Sequence, residues 1–394
     1  MRDRAEVTAF DKSPGAFGGV GNRVLLSACA ASPLPDAALA RLTEQAQLQA
    51  AGGTLAFEPY ESLQAQLRAA AAELLAADPR DISFQRNSTE AVSLIAAGYP
   101  FNSGDEVIGY VHEYPANHYP WRNLAQHGVR LVELTNSRPP AVADCASRPC
   151  ALSLDELEQR ITPRTRIIAL SHVQFASGYA ADVRALAALC HERGIDLVID
   201  AAQSLGALPI EAQPGLAAIV ASGWKWLLGP IGSGLMWTSP QLREKLDHVI
   251  VGAESMQQAT DYLDHSWRPH TSAKRFEYAT SSPALVAALA TSIESIHLRY
   301  GVAEINAELL RLQDLLIAQL DDNLFTPVLF DAAHRSGILA VICRRREPAE
   351  LAALLREQEF ITTVRGGYLR IAAHFFITDE QIARLAEIMN ASGR

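Results

Sequence analysis

Seven short apolar runs between residues 81 and 237, separated by stretches of helical pattern, constrain the fold of this sequence most. The runs are 81–85 (DISFQ), 106–111 (EVIGYV), 129–134 (VRLVEL), 166–173 (RIIALSHV), 196–200 (DLVID), 217–221 (AAIVA) and 234–237 (GLMW). Each has strand length, and most are rich in Val, Ile and Leu, as strands covered on both faces are. Helices are predicted between them at 89–97, at 154–161 behind a capping box from Ser153 to Glu156, and at 183–193 with Gly194 as the stop. Strands that alternate with helices specify βαβ units, hence an α/β fold with a mainly parallel seven-stranded sheet.

Beyond residue 280 the pattern changes. Long helices over 283–320 lead to a strand at 337–343, a helix at 348–358, a strand at 368–373 and a last helix at 379–389. The alanine-rich stretches 69–77 and 284–290 also read as helix. The expectation is a large domain over 21–280 and a smaller C-terminal α+β domain over 281–394, with the segment 1–20 packing on the latter. A chain of 394 residues has room for two domains.

Composition narrows the function classes. Hydrophobic residues make up 49% and charged residues 20%, which suits a large core. The net charge of −10 comes without a long basic block, which argues against nucleic acid and anionic membrane as partners. The N-terminus has no apolar signal region and no run is long enough to span a bilayer. The five cysteines, Cys29, Cys145, Cys150, Cys190 and Cys343, form no CxxC pair. Reduced thiols in a cytoplasmic protein are therefore expected, with no metal site.

Ligands of open α/β sheets bind beyond the carboxyl ends of the strands. The residues there are Ser88 and Thr89 in RNSTEA, Tyr114 in HEYPANHYPW, the QFASG stretch after residue 173, Asp200, and Ser222 with Lys225 in SGWKWLLGPIGSG. Ser88 and Thr89 stand where a helix begins, so free N–H groups and hydroxyls make an anion site. Tyr114 is placed to lie over a planar ligand. A carboxylate at a strand end needs a cationic or N–H partner. Lys225 sits in an apolar setting, which lowers an amine pKa from about 10.4 and frees the neutral form for Schiff-base chemistry. A phosphate cradle, an aromatic cover, a buried acid and an amine are the parts that hold pyridoxal 5'-phosphate. No GxGxxG follows the first strand, and neither GxxxxGK[ST] nor HExxH occurs. A ligand-free scaffold would leave Asp200 and Lys225 as coincidences.

VIDAAQSLGALPI followed by ASGWKWLLGPIGSGLMW resembles the core of the class V aminotransferase family, a fold-type I branch of pyridoxal-phosphate enzymes. That branch also contains cysteine desulfurases, isopenicillin epimerase and hercynylcysteine sulfoxide lyase. The resemblance runs from LLSACAASPLP through NSTEA, EYPANHYPW, SHVQFASG and RFEYATSS to GGYLRIAAHFFITDEQIARL. It implies that Lys225 is the Schiff-base lysine and Asp200 the partner of the pyridine nitrogen. Gln203 would meet the ring hydroxyl, and Ser88, Thr89 and Ser222 the phosphate. Tyr114 would stack on the ring and Arg370 would grip a substrate α-carboxylate. Thr280 would reach the phosphate of a second subunit, which implies a homodimer with shared sites.

Three departures bear on the reaction. Trp224 stands where desulfurases carry a histidine, and Phe175 where they carry an asparagine near the ring oxygen. In VRGGYLR only four residues separate Arg365 from Arg370, where desulfurases insert a loop with their persulfide-forming cysteine. Cys343 reads as a small buried hydrophobe. The expectation is an enzyme acting on an α-amino acid through a Cα carbanion, with β-elimination at a carbon–sulfur bond of a cysteine conjugate or sulfoxide preferred. Aminotransferase and epimerase are the alternatives, and a persulfide-type desulfurase is disfavoured.

Overall fold

The computed structural model describes residues 9–137 and 148–393, so Cys145 and the first eight residues lie outside it. A short strand β1 (Val24–Leu25) precedes the central sheet. That sheet is built from β2 (Ile82–Gln85), β3 (Glu106–Tyr110), β4 (Arg130–Leu134), β5 (Thr165–Ser171), β6 (Asp196–Asp200), β7 (Leu216–Ser222) and β8 (Gly234–Thr238). Their order is β2-β8-β7-β6-β5-β3-β4. β3 pairs in parallel with β4 and β5, β5 with β6, and β6 with β7. β8 alone runs antiparallel, between β7 and β2. Every residue of β7 is buried, as its unbroken apolar run requires of a central parallel strand.

The strand order reverses beside β3: β4 lies on one side of it and β5 on the other. A crevice therefore opens at the carboxyl ends of β3 and β5, from which the chain runs on to Tyr114 and Phe175.

A second, antiparallel sheet has the order β12-β13-β10-β9, from β9 (Phe325–Pro327), β10 (Leu339–Cys343), β12 (Thr363–Arg365) and β13 (Tyr368–Ile371). Between β10 and β12 lies β11 (Phe360–Ile361), which pairs in parallel with β1. Leu339, Leu369 and Ile371 of this sheet pack with Leu351, Leu355, Leu385 and Met389 of the helices Pro348–Glu357 and Asp379–Ser392. The N-terminal stretch lies here as well. Phe10 stacks on Phe375 at 5.2 Å, and Lys12 pairs with Glu308 at 2.6 Å.

The helices predicted over 283–320 are two, with a π-helical turn between them. Pro283–Ser292 continues as a π-helical turn over Ile293–Leu298, and the helix Val302–Ile317 starts afresh after Gly301, whose φ is 82°. Only glycine takes that backbone conformation without strain. Helix Asp36–Gly52 adds to the predicted set, and the helix read at 69–77 begins earlier and spans Tyr60–Leu75. Among the described residues no helix is long and apolar enough to cross a membrane.

Candidate active site

The site begins where β2 gives way to the helix Ser88–Gly98. Asn87 caps that helix, its side chain accepting the Glu90 N–H at 2.9 Å. Ser88 and Thr89 then form the first turn. Ser222, the last residue of β7, reaches them: its Oγ lies 3.2 Å from Ser88 Oγ. The approach depends on Gly234 of β8, which lies between the two strands. A Cβ there would stand 2.6 Å from the Ala221 carbonyl. The Ser88 and Ser222 hydroxyls thus meet at a helix N-terminus.

Asp200 ends β6 at 4% exposure. Its Oδ1 accepts the Ala202 N–H at 2.9 Å, and among the described residues no other donor reaches the carboxylate. Burial pushes the Asp200 carboxyl above its ordinary value, while Lys225 and the Ala202 N–H pull it back. Burial lowers the Lys225 amine, opposed by Asp200. The Lys225 Nζ lies 5.3 Å from the centroid of the Tyr114 ring. Acid and amine act on each other electrostatically, and among the described residues neither is fully partnered.

The opposite wall comes from the hairpin of β12 and β13. Arg365 pairs with Tyr368 across a two-residue turn, Gly366–Gly367, with φ of 57° and 80°. Arg370, 2% exposed, donates from Nε to Thr363 Oγ1 at 3.1 Å and from Nη1 to the Phe175 carbonyl. Among the described residues its Nη2 meets no hydrogen-bond acceptor.

These walls enclose a cavity of about 510 Å³ lined by Ser88, Thr89, Tyr114, Phe175, Gln203, Ser222, Trp224, Lys225, Arg365 and Arg370, with Cys29, Ala30 and Asn87. Of the sequence-derived residues, Asp200 lies beside it and Thr280 lies apart. Thr280 lines a second cavity of about 480 Å³ together with Tyr278 and Glu90. Tyr114 and Phe175 meet edge to face at 5.4 Å. Neither His112, His118 nor His172 lines the Lys225 cavity. His172 is buried and held neutral, its pKa lowered to about 4.

Three residues escaped the sequence reasoning. Cys29 lines the cavity with its Sγ 3.7 Å from Thr363 Oγ1. Arg365 lines the cavity beside Arg370, and its signal was the Gly-Gly turn that brings it back onto β13. Glu113 accepts the Ser171 N–H at 2.7 Å and the Ser171 hydroxyl, and so ties the loop of Tyr114 to the end of β5. Burial pushes its carboxyl up to about 7. Its signal was its place directly before Tyr114.

The cavity fits pyridoxal phosphate on its own chemistry. Asp200 is a buried carboxylate short of a donor, which suits a protonated ring nitrogen. Lys225 is an amine without a hydrogen bond among the described residues, and Ser88, Thr89 and Ser222 gather donors at a helix N-terminus.

Comparison with known proteins agrees. Residues 24–385 match the family model for aminotransferase class V. A probable cysteine desulfurase of Methanothermobacter thermautotrophicus is 24% identical over 93% of this chain and 94% of its own length. One from Pseudomonas putida is 30% identical over 80% of this chain and 74% of its own. Isopenicillin N epimerase of Streptomyces clavuligerus is 28% identical over 93% and 94%. In fold the chain matches the cystine C–S lyase C-DES, solved with its reaction product cysteine persulfide. The TM-score is 0.85 at 22% identity, over 95% of this chain and 99% of that one. The cysteine desulfurase of Thermococcus onnurineus gives a TM-score of 0.84 at 19% identity, over 96% of each chain. The chain, with its fold-type I sheet and its Lys225 cavity, belongs to the class V aminotransferase family and is a pyridoxal-phosphate-dependent enzyme.

Proposed function

We propose that this enzyme cleaves the carbon–sulfur bond of a cysteine conjugate, sulfoxide or disulfide by β-elimination. The observation that carries this reading is the turn between β12 and β13. In desulfurases a loop bearing the sulfur-accepting cysteine precedes the arginine that matches Arg370. Here Gly366 and Gly367 close a two-residue hairpin in its place, and the hairpin holds no cysteine. Likeness in fold to a cystine C–S lyase supports the same reading.

Ser88, Thr89 and Ser222 would hold the cofactor phosphate, Asp200 its ring nitrogen, Gln203 its ring oxygen, Tyr114 its face and Lys225 its aldehyde carbon. When bound, the cofactor supplies an electron sink for the pair left at Cα. Arg370 holds the substrate α-carboxylate, and the Thr363 and Phe175 contacts fix the plane of its fork. Lys225 moves the Cα proton, and burial keeps its neutral form within reach. The sulfur leaves Cβ with the pair of the broken C–S bond, as thiolate from a conjugate, sulfenate from a sulfoxide or persulfide from a disulfide, and takes up the proton that Lys225 removed from Cα. Phe175, Trp224 and Tyr114 give the cavity an aromatic lining. Arg365 offers a second cation at the same cavity, which suits a substrate with a second carboxylate, such as a disulfide of two amino acids. Thr280, in its separate cavity, is assigned to the site of a second copy in a homodimer.

The test is incubation of holoenzyme with cystine and with S-substituted cysteines. Release of pyruvate and ammonia is expected. Amino transfer to an added keto acid, or alanine as the product, overturns the proposal.

A second reading has one observation in its favour. Cys29 lines the cavity, and its charge would act on both Lys225 and Arg370. A sulfur acceptor at Cys29 predicts alanine from cysteine and a Cys29 peptide heavier by one sulfur atom. Elimination predicts that Cys29→Ala keeps turnover.

A further inference from the structure

Two side-chain amides line the cavity, and that of Asn87 is committed to its helix cap, whereas the Gln203 amide could in principle face the ligand with either end. Its neighbours remove that choice. The Cys29 carbonyl can only accept, and it lies 2.9 Å from Gln203 Nε2. The Trp226 indole can only donate, and its Nε1 lies 3.1 Å from Gln203 Oε1. Chemistry alone therefore assigns nitrogen and oxygen. With Oε1 taken by the indole and one Nε2 proton by the carbonyl, a single N–H remains for the cavity.

Trp226 itself is held on several sides. It is fully buried, and the His374 ring lies 5.6 Å from it. His374 Nε2 is 3.4 Å from the Trp226 carbonyl. The indole tip fits only because residue 337 is glycine: a Cβ there would stand 2.6 Å from Cη2. Trp226 does not line the cavity, so it touches the ligand only through Gln203.

We infer that Trp226 is a positioning residue. Its indole N–H locks the Gln203 amide so that the cavity presents a donor, and the site thereby selects a ligand with an acceptor oxygen beside the reactive aldehyde. This rests on the cofactor assignment made above.

The experiment compares pyridoxal phosphate with its analogue lacking the 3-hydroxyl, by equilibrium dialysis against apoenzyme. Wild type should prefer pyridoxal phosphate about tenfold or more, the worth of one hydrogen bond to a charged oxygen. Trp226→Phe should lose most of that preference while binding the analogue as wild type does. Gln203→Leu should lose it as well, and adding Trp226→Phe to Gln203→Leu should change nothing further. Gly337→Ala, which displaces the indole without touching the cavity, should lower the preference in the same direction. The proposal is overturned if Trp226→Phe and Gly337→Ala keep the wild-type preference. It is overturned equally if Trp226→Phe weakens both ligands alike, or adds to Gln203→Leu. If wild type shows no preference, the Gln203 assignment itself fails and the Trp226 inference falls with it. Loss of preference in Gln203→Leu but not in the Trp226 and Gly337 variants confines the failure to the indole.

Discussion

The two walls of the cavity solve opposite problems. On the sheet side, the charges at the ends of β6 and β7 are left short of partners: among the described residues Asp200 accepts one N–H, and Lys225 has no hydrogen bond. On the hairpin side, Arg370 already spends Nε and Nη1 on Thr363 and Phe175. The first wall stores an unmet electrostatic demand that a charged ring and phosphate can answer. The second is set in place before any ligand arrives. A resident cofactor suits the first, and a substrate that comes and goes suits the second.

This contrast breaks most visibly at Lys225. Borohydride reduction of holoenzyme should leave a pyridoxyl group on the Lys225 peptide. Lys225→Ala should hold the cofactor only non-covalently and lose turnover. A label on another lysine removes the basis of the sheet-side assignment.

Asp200→Asn comes next, because it keeps shape and removes charge. Breaking a buried charge pairing costs about 3–5 kcal/mol, or roughly two to four orders of magnitude in rate. Exchange of the substrate Cα proton with deuterium should slow on that scale while cofactor binding survives. Unchanged exchange would mean that the carboxylate is structural.

On the hairpin side the effects should be smaller and confined to substrate. Arg370→Ala should weaken apparent affinity for amino acid at least tenfold, from a charge-assisted hydrogen bond of about 1.5–3 kcal/mol. Arg370→Lys should fall between wild type and alanine, since it keeps charge and loses the fork. Neither should disturb the absorbance of the bound cofactor. An amine without a carboxylate should bind wild type and Arg370→Ala alike.

The smallest effect belongs to Glu113, which joins the loop of Tyr114 to β5. Burial raises its carboxyl from an ordinary value of 4.5 to about 7. A raised pKa means that the folded state favours the protonated form. The stability from this group is present below the ordinary value and is lost as pH rises through about 7. Thermal midpoints of wild type and Glu113→Gln, compared at about pH 5 and about pH 8, should shift in favour of the Gln variant at the higher pH. A constant gap would show that this carboxyl does not titrate there.

The sheet wall was legible in the sequence because its residues sit at the ends of continuous apolar runs, where period and composition mark the strand. Asp200 is the terminal residue of β6, as the run DLVID implies, and Ser222 ends β7 one residue beyond the run AAIVA. Resemblance to a family then gave Gln203 and Arg370 their roles, which periodicity alone does not. The hairpin wall was harder. β12 has three residues and β11 two, too few for any period to emerge. Cys29 enters the cavity through contacts between opposite ends of the chain, such as the bridge from Ser27 to Ala372, and no local pattern reports that. The helix Asp36–Gly52 lacked a signal for a different reason. Only Ala38 and Gln45 along it are buried, so it has no apolar stripe to read.

The pairing of β1 with β11 sets a timetable for biosynthesis. Val24 leaves the ribosome well before Phe360, yet the two are register partners. Until β11 and Ala372 have been made, β1 has no strand to join and Ser27 has no bridge partner. The central sheet, whose strands all lie between residues 82 and 238, has its own sequence complete well before then. The cavity that Arg365 and Arg370 line is therefore complete only once the chain has been made through β13.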